Sequence, residues 1–217
     1  MKILDWEWIA LIIDSGDICT QLSKHLTSIS QNLEVIVCGR TIKSINGIYL
    51  DLENSDSLLS FEESISAFRK SLRSVINTSC FLHSNIIKPE KNFYMLIILI
   101  YLRTLRLMLS PILIANSIEK YISPELPFLF SSLCARVVNI SDNWLCVWYS
   151  YRASKAAQNQ LLKTLSIEWR RNYPLVIVSI LHPGTCDTKL SKPCQNSVSK
   201  NKIFSPEHSH KFLINII

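Results

Sequence analysis

Tyr151 and Lys155 are the residues of this chain whose types and spacing most directly suggest chemistry. Four positions apart, they share one face if their segment is helical. A phenol beside an ammonium can act as a general acid/base. The cation favours the phenolate, lowers a pKa that starts at about 10, and lets the oxygen exchange a proton with a substrate oxygen. Surface Tyr–Lys pairs at this spacing are common, so the reading depends on what surrounds them. Tyr149 is a rival by proximity, but Ala153, not a lysine, stands four residues after it. From Ala156 to Arg171 a helical pattern follows. Ala157, Leu161, Leu162, Leu165 and Trp169 recur at helical spacing, with Gln158, Lys163, Glu168 and Arg170 between them.

Elements that could position such a pair are visible upstream and downstream. Trp8 to Ile13 is a short apolar run closed by Asp14-Ser15-Gly16-Asp17, and a helical pattern with Leu22, Leu26 and Ile29 comes next. Further strands are expected at Leu33 to Val37, Ile48 to Leu52, Val75 to Asn77, within Phe128 to Ile140, and at Val176 to Leu181. Leu58 to Leu72 reads as an amphipathic helix and Asn92 to Ser123 as a long apolar helical stretch containing Pro111. Ser205-Pro206-Glu207 is a good helix start. Strands alternating with helices over short connections argue for a doubly wound parallel sheet, a Rossmann-like three-layer α/β/α fold.

The 217 residues are enough for a single domain spanning residues 1–217 with a sizeable core. No apolar run reaches membrane-spanning length. Tyr94 to Leu102 comes nearest and reads as a buried helix or strand halted by Arg103. Asp5 and Glu7 break up the N-terminal apolar stretch, so no signal peptide is expected. Seven cysteines without a Cys-x-x-Cys pair point to reduced thiols in a cytoplasmic protein and to no metal site. His208 and His210 stand alone in a polar tail, and no Gly-x-Ser-x-Gly elbow supports a serine hydrolase. The net charge of +6 is modest, and nothing interleaves aromatic with basic residues as base stacking requires. Neither nucleic acid nor a membrane is expected as partner. Glycine is scarce: four occur where average usage gives roughly 15.

The run Tyr149 to Asn159 (Tyr-Ser-Tyr-Arg-Ala-Ser-Lys-Ala-Ala-Gln-Asn) and the later Leu181 to Pro193 (Leu-His-Pro-Gly-Thr-Cys-Asp-Thr-Lys-Leu-Ser-Lys-Pro) resemble the short-chain dehydrogenase/reductase family, most of all its C-factor-like branch. The resemblance is dense from about Ala135 onward, including Ile140 to Asn143 and Phe204 to Glu207, and thin from Trp8 to Pro127. It implies hydride transfer between NADP or NAD and a small carbonyl or alcohol substrate. Tyr151 would be the acid/base, and Lys155 would tune it and hold the nicotinamide ribose. Of the nearby hydroxyls Ser131, Ser132 and Ser141, the last is taken as the substrate-positioning serine, since the family's own position falls on Ala135. Ser15, Gly16, Arg40, Asp51, Asn77, Pro183, Gly184 and Thr185 would contact the cofactor. Arg40 favours NADP, and Thr188 and Ser191 would belong to a mobile lid. The helix carrying Tyr151 implies a homodimer or homotetramer, with Leu161, Leu165 and Trp169 either at that interface or in the core.

Departures from the family pattern point the other way. The three fingerprint glycine positions fall on Ile13, Asp17 and Cys19, and Leu107 stands where the family has a catalytic Asn. Asp14 and Asp17 can cap the helix that follows with their own carboxylates and repel a phosphate there. The alternative is therefore a catalytically impaired relative that acts through interactions or signalling, or a decayed gene product.

Overall fold

The computed structural model describes residues 9–29, 32–41, 46–67, 72–84, 87–141, 143–144 and 147–216. Trp8, Asp142 and Cys146 lie outside the described residues, as does the N-terminal stretch with Asp5 and Glu7. Six parallel strands form the central sheet: β1 (Ile9–Ile13), β2 (Glu34–Gly39), β3 (Ile48–Tyr49), β4 (Leu72–Asn77), β5 (Phe128–Leu133) and β6 (Val176–Leu181). Their order is β3-β2-β1-β4-β5-β6. β1 pairs with β2 on one side and β4 on the other, so the winding reverses there. Such a reversal opens a crevice at the carboxyl ends of the strands.

Apolar runs buried on both faces explain the central strands. All five residues of β1 and all six of β4 and β5 are buried. One core, around Leu11, Val75, Phe130, Leu162 and Trp169, lies on one face of the sheet. The other, around Ala10, Ile12, Leu22, Leu26 and Leu213, lies on the opposite face. Helices α1 (Asp17–Ile29) and α6 (Pro206–Ile216) cover the second core. α2 (Ser55–Ser66), α4 (Ser110–Ile118) and α5 (Tyr149–Asn172) cover the first, with α3 (Ile98–Met108) packed on α5. The expected three-layer architecture is present.

Several boundaries differ from the sequence reading, each for a local reason. α2 ends at Ser66 and β4 begins at Leu72, so the helix expected to reach Leu72 is shorter. It starts sharply because the Asn54 side chain accepts hydrogen bonds from the amides of Asp56 (2.9 Å) and Ser57 (3.3 Å). The stretch expected as one helix from Asn92 to Ser123 is broken into a 3-10 turn (Phe93–Met95), α3, α4 and a second 3-10 turn (Glu119–Tyr121). Pro111 sits in the first turn of α4, where its missing N–H costs nothing. Tyr94 to Leu102, expected to be buried, is instead largely exposed at Tyr94, Ile97, Ile98 and Leu102. Leu165 and Trp169 are in the core, and the Trp169 ring meets Phe130 edge-on at 5.5 Å, so neither is available to a partner.

Candidate functional site

At the carboxyl end of β1 the turn into α1 is built around Asp14. Its backbone adopts φ +104°, a left-handed region that a side chain enters only when neighbours hold it there. Its amide donates to Cys38 O at 2.7 Å, and the Cys19 thiol donates to its carbonyl at 2.8 Å. Gly39 permits this close approach, since a Cβ there would lie 3.1 Å from the Asp14 carbonyl carbon. The Asp14 carboxyl lies over the turn into α1, beside the amides of Ser15 and Gly16; a Cβ on Gly16 would stand 3.3 Å from its Oδ2. Burial raises its pKa, opposed by those amides and by the charge of Arg40. A pyrophosphate approaching the start of α1 would therefore meet the chain's own carboxyl group at this turn. Asp17 is taken up as well, its Oδ2 accepting from the Lys189 amide at 3.4 Å.

Arg40 and Asp51 serve local structure. Arg40 is exposed and stands 3.7 Å from Glu53. That carboxylate is already held by Arg103 through Nε at 3.0 Å and Nη2 at 2.9 Å. Asp51 accepts from the Glu53 amide at 3.0 Å and donates its own amide to Ser57 Oγ at 2.8 Å, a turn that leads into α2.

Tyr151 and Lys155 lie on one face of α5, as their spacing implies, but they face different partners. The Tyr151 ring is half-buried, and its hydroxyl accepts a hydrogen bond from the Cys80 thiol at 3.6 Å. Burial first, and Cys80 second, push the phenol pKa up, the reverse of the lowering expected from an adjacent ammonium. The Lys155 ammonium is buried and donates to Leu133 O at 3.1 Å and to Gln158 Oε1 at 2.7 Å. Gln158 Nε2 donates onward to Ser132 Oγ at 2.8 Å, and Asn77 Nδ2 donates to the same oxygen at 3.1 Å. Asn77 Oδ1 accepts from the Ser79 amide at 3.2 Å and from Ser79 Oγ at 2.7 Å, and Ser79 meets Ser110 at 2.8 Å. A polar network therefore runs from α5 through β5 and β4 to α4. Asn77 sits at its centre with both ends of its amide engaged.

Ser141 is not part of this network. It is exposed, its amide donates to Asn139 Oδ1 at 3.0 Å, and no hydrogen bond among the described residues links it to Tyr151. The hydroxyl that joins the network is Ser132, while Ser131 pairs with Ser179 across β5 and β6 at 2.7 Å. Sequence reasoning did not single out Gln158, Ser79, Ser110 or Cys80. The available signal was a polar line, Tyr151, Ser154, Lys155 and Gln158, recurring at helical spacing on the face that carries Leu162 and Trp169 inward.

The segment after β6 closes over the same crevice. Gly184 has φ +76°, and a Cβ there would lie 2.7 Å from the Phe204 ring, so both conformation and space require glycine. Thr185 begins a short strand, β7 (Thr185–Cys186), that pairs with β8 (Ile203–Phe204). Pro183 is half-buried between β6 and that strand. The His83 ring Nε2 lies 3.0 Å from Lys189 O and 3.2 Å from Leu190 O, tying this segment to the loop after β4. Ser191 accepts from the Thr188 amide at 3.2 Å and donates to Cys186 O. The expected mobile lid is thus pinned at Asp17 and at His83.

Comparison with solved structures agrees with this topology. The chain superposes on an NADPH-bound carbonyl reductase from chicken fatty liver with TM-score 0.79 and 17% identity, over 95% of this chain and 90% of that one. The carbonyl reductase Sniffer of D. melanogaster gives 0.78 and 16% over 95% and 90%. An NADP complex of a Burkholderia cenocepacia short-chain dehydrogenase gives 0.76 and 15% over 97% and 90%. No protein-family model matches the sequence, and no curated protein does. The chain has the fold of the short-chain dehydrogenases/reductases. Two features of its crevice bear on the dinucleotide that the fold implies: the Asp14 carboxyl lies over the turn into α1, and the Lys155 ammonium bonds Leu133 O and Gln158.

Proposed function

We propose that this chain is a short-chain dehydrogenase/reductase-fold protein whose dinucleotide crevice is filled from within, and that it acts by binding a partner rather than by hydride transfer. The Asp14 carboxyl lying against Gly16 in the turn into α1 carries this reading. A phosphate entering there would have to displace a carboxyl group that already occupies the turn. Lys155 supports it, since its hydrogen bonds run to the β5 end and to Gln158. The test is titration of the folded protein with NADPH and with NADH, read by nicotinamide fluorescence and thermal shift. The expected result is no saturable binding of either. Micromolar binding would overturn the reading.

One observation favours a second reading, an NADP- or NAD-dependent oxidoreductase of the C-factor-like type acting on a carbonyl or alcohol. The Tyr151 hydroxyl stands beside Cys80, just beyond the carboxyl end of β4, where open α/β sheets bind ligands. A phenol with a raised pKa keeps its proton and can donate it to a substrate oxygen. When bound, the cofactor would supply the hydride, and Lys155, Asn77 and Thr185 would be its contacts. If NADPH does bind, loss of carbonyl reduction in Tyr151→Phe with binding retained is the result this second reading requires.

A further inference from the structure

Residues 88–102 form a strap on which Phe93 to Ile98 and Leu102 turn apolar side chains outward. Tyr94 is 92% exposed, Phe93 and Ile98 64%, Ile97 54% and Leu102 53%. Scattered apolar side chains on a surface need no explanation, but a run of neighbours does. The strap is anchored beneath this face. The Phe93 ring meets Tyr149, the first residue of α5, at 6.4 Å, and the Glu90 carbonyl accepts the Trp148 amide at 2.8 Å.

Charge on the strap has one sign. Lys88 and Lys91 are exposed, whereas Glu90 between them is buried and accepts hydrogen bonds from the amide and hydroxyl of Ser150. From Lys91 to Ile118 the sequence contains no carboxylate. Burying Glu90 leaves an apolar, aromatic face bordered only by cations on its N-terminal side.

We infer that this strap docks the protein on the surface of an anionic lipid bilayer. Charge decides between the possible occupants. A second copy meeting this face about a two-fold axis would bring a border of the same sign to it, with no carboxylate from the strap to offset it. A bilayer with anionic headgroups supplies the opposite charge together with apolar depth for Phe93, Ile97 and Ile98, and Tyr94 suits the boundary between them. No helix among the described residues is long and apolar enough to cross a membrane, so the contact is peripheral. This inference does not depend on whether the crevice takes a dinucleotide.

The experiment is co-sedimentation of the full chain with extruded vesicles of phosphatidylcholine alone and of phosphatidylcholine with phosphatidylserine, at low and high salt. Binding is expected to the phosphatidylserine vesicles, to fall with salt, and to be lost in Tyr94→Ser/Ile98→Ser. Reversing both lysines (Lys88→Glu/Lys91→Glu) should weaken partitioning roughly tenfold or more. Leu59→Ser, which removes an exposed leucine on α2, should bind as the parent does. All five side chains are exposed, so these variants should fold, and circular dichroism checks that they do. No binding to anionic vesicles, or binding indifferent to these substitutions, overturns the inference. So does a dimer in light scattering that Ile98→Ser converts to monomer, which would assign the face to a second copy.

Discussion

The crevice is filled in two different ways on either side of the strand-order reversal. At the end of β1 a single carboxyl group, on a residue with φ +104°, lies over the turn into α1. At the ends of β4 and β5 the filling is distributed, with Lys155, Gln158, Ser132, Asn77, Ser79 and Ser110 each satisfying the next. The first is a strained plug made by one side chain. The second is a buried network that loses more than one bond when any member is removed. One substitution should therefore undo the first, whereas changes to the second should appear as lost stability.

The largest expected effect is in the network. Gln158→Leu strands the buried Lys155 ammonium and takes a donor from Ser132, and should cost about 2 kcal/mol or more in denaturant unfolding. Lys155→Met in that background removes the stranded charge and should recover most of the loss. A double-mutant cycle showing simple additivity would break the claim that the two act as a unit. Asn77→Ala comes next, expected at about 2 kcal/mol because Ser132 and Ser79 lose their common partner.

Asp14→Gly should act in the opposite direction. It relieves the positive φ and removes a desolvated carboxyl group, so a gain of about 1 kcal/mol is expected. If the plug is what keeps phosphate out, the same variant should be the first to show NADPH binding by thermal shift. The charge can be tested separately by pH. Burial raises the Asp14 pKa, so the folded chain holds this proton to higher pH than the unfolded chain, whose carboxyl stays near 3.8. The Asp14 contribution to stability is therefore greatest below that value and falls as pH rises through the raised folded pKa. Asp14→Asn should flatten the stability profile across this window, and an unchanged slope would argue that the carboxyl is solvated.

The smallest effect is expected at the pinned segment. His83→Ala removes the ring that meets Lys189 O and Leu190 O, on a half-exposed side chain. Global stability should change by less than about 1 kcal/mol. Proteolysis between Thr188 and Lys202 should nonetheless become faster, since opening there is local. An unchanged cleavage rate would show that the Asp17 contact alone holds the segment.

Residue order alone determined the sheet, because its signals are local. Trp-Ile-Ala-Leu-Ile-Ile, Leu-Phe-Ser-Ser-Leu and Val-Ile-Val-Ser-Ile-Leu are short apolar runs between helical patterns, and parallel strands buried on both faces require such runs. Tyr151 and Lys155 on one face of a helix and Ser205-Pro206 opening α6 were legible for the same reason. What each side chain meets across the fold was not. Whether Lys155 points at Tyr151 or at Leu133 O depends on β5, whose end lies 22 positions away in sequence. The path of the Asp14 backbone depends on how closely Gly39 lets β2 approach. The outward turn of Tyr94 to Leu102 likewise followed from α5 and Glu90 filling the space beneath, since an apolar run encodes its preference for burial but not whether space remains to bury it.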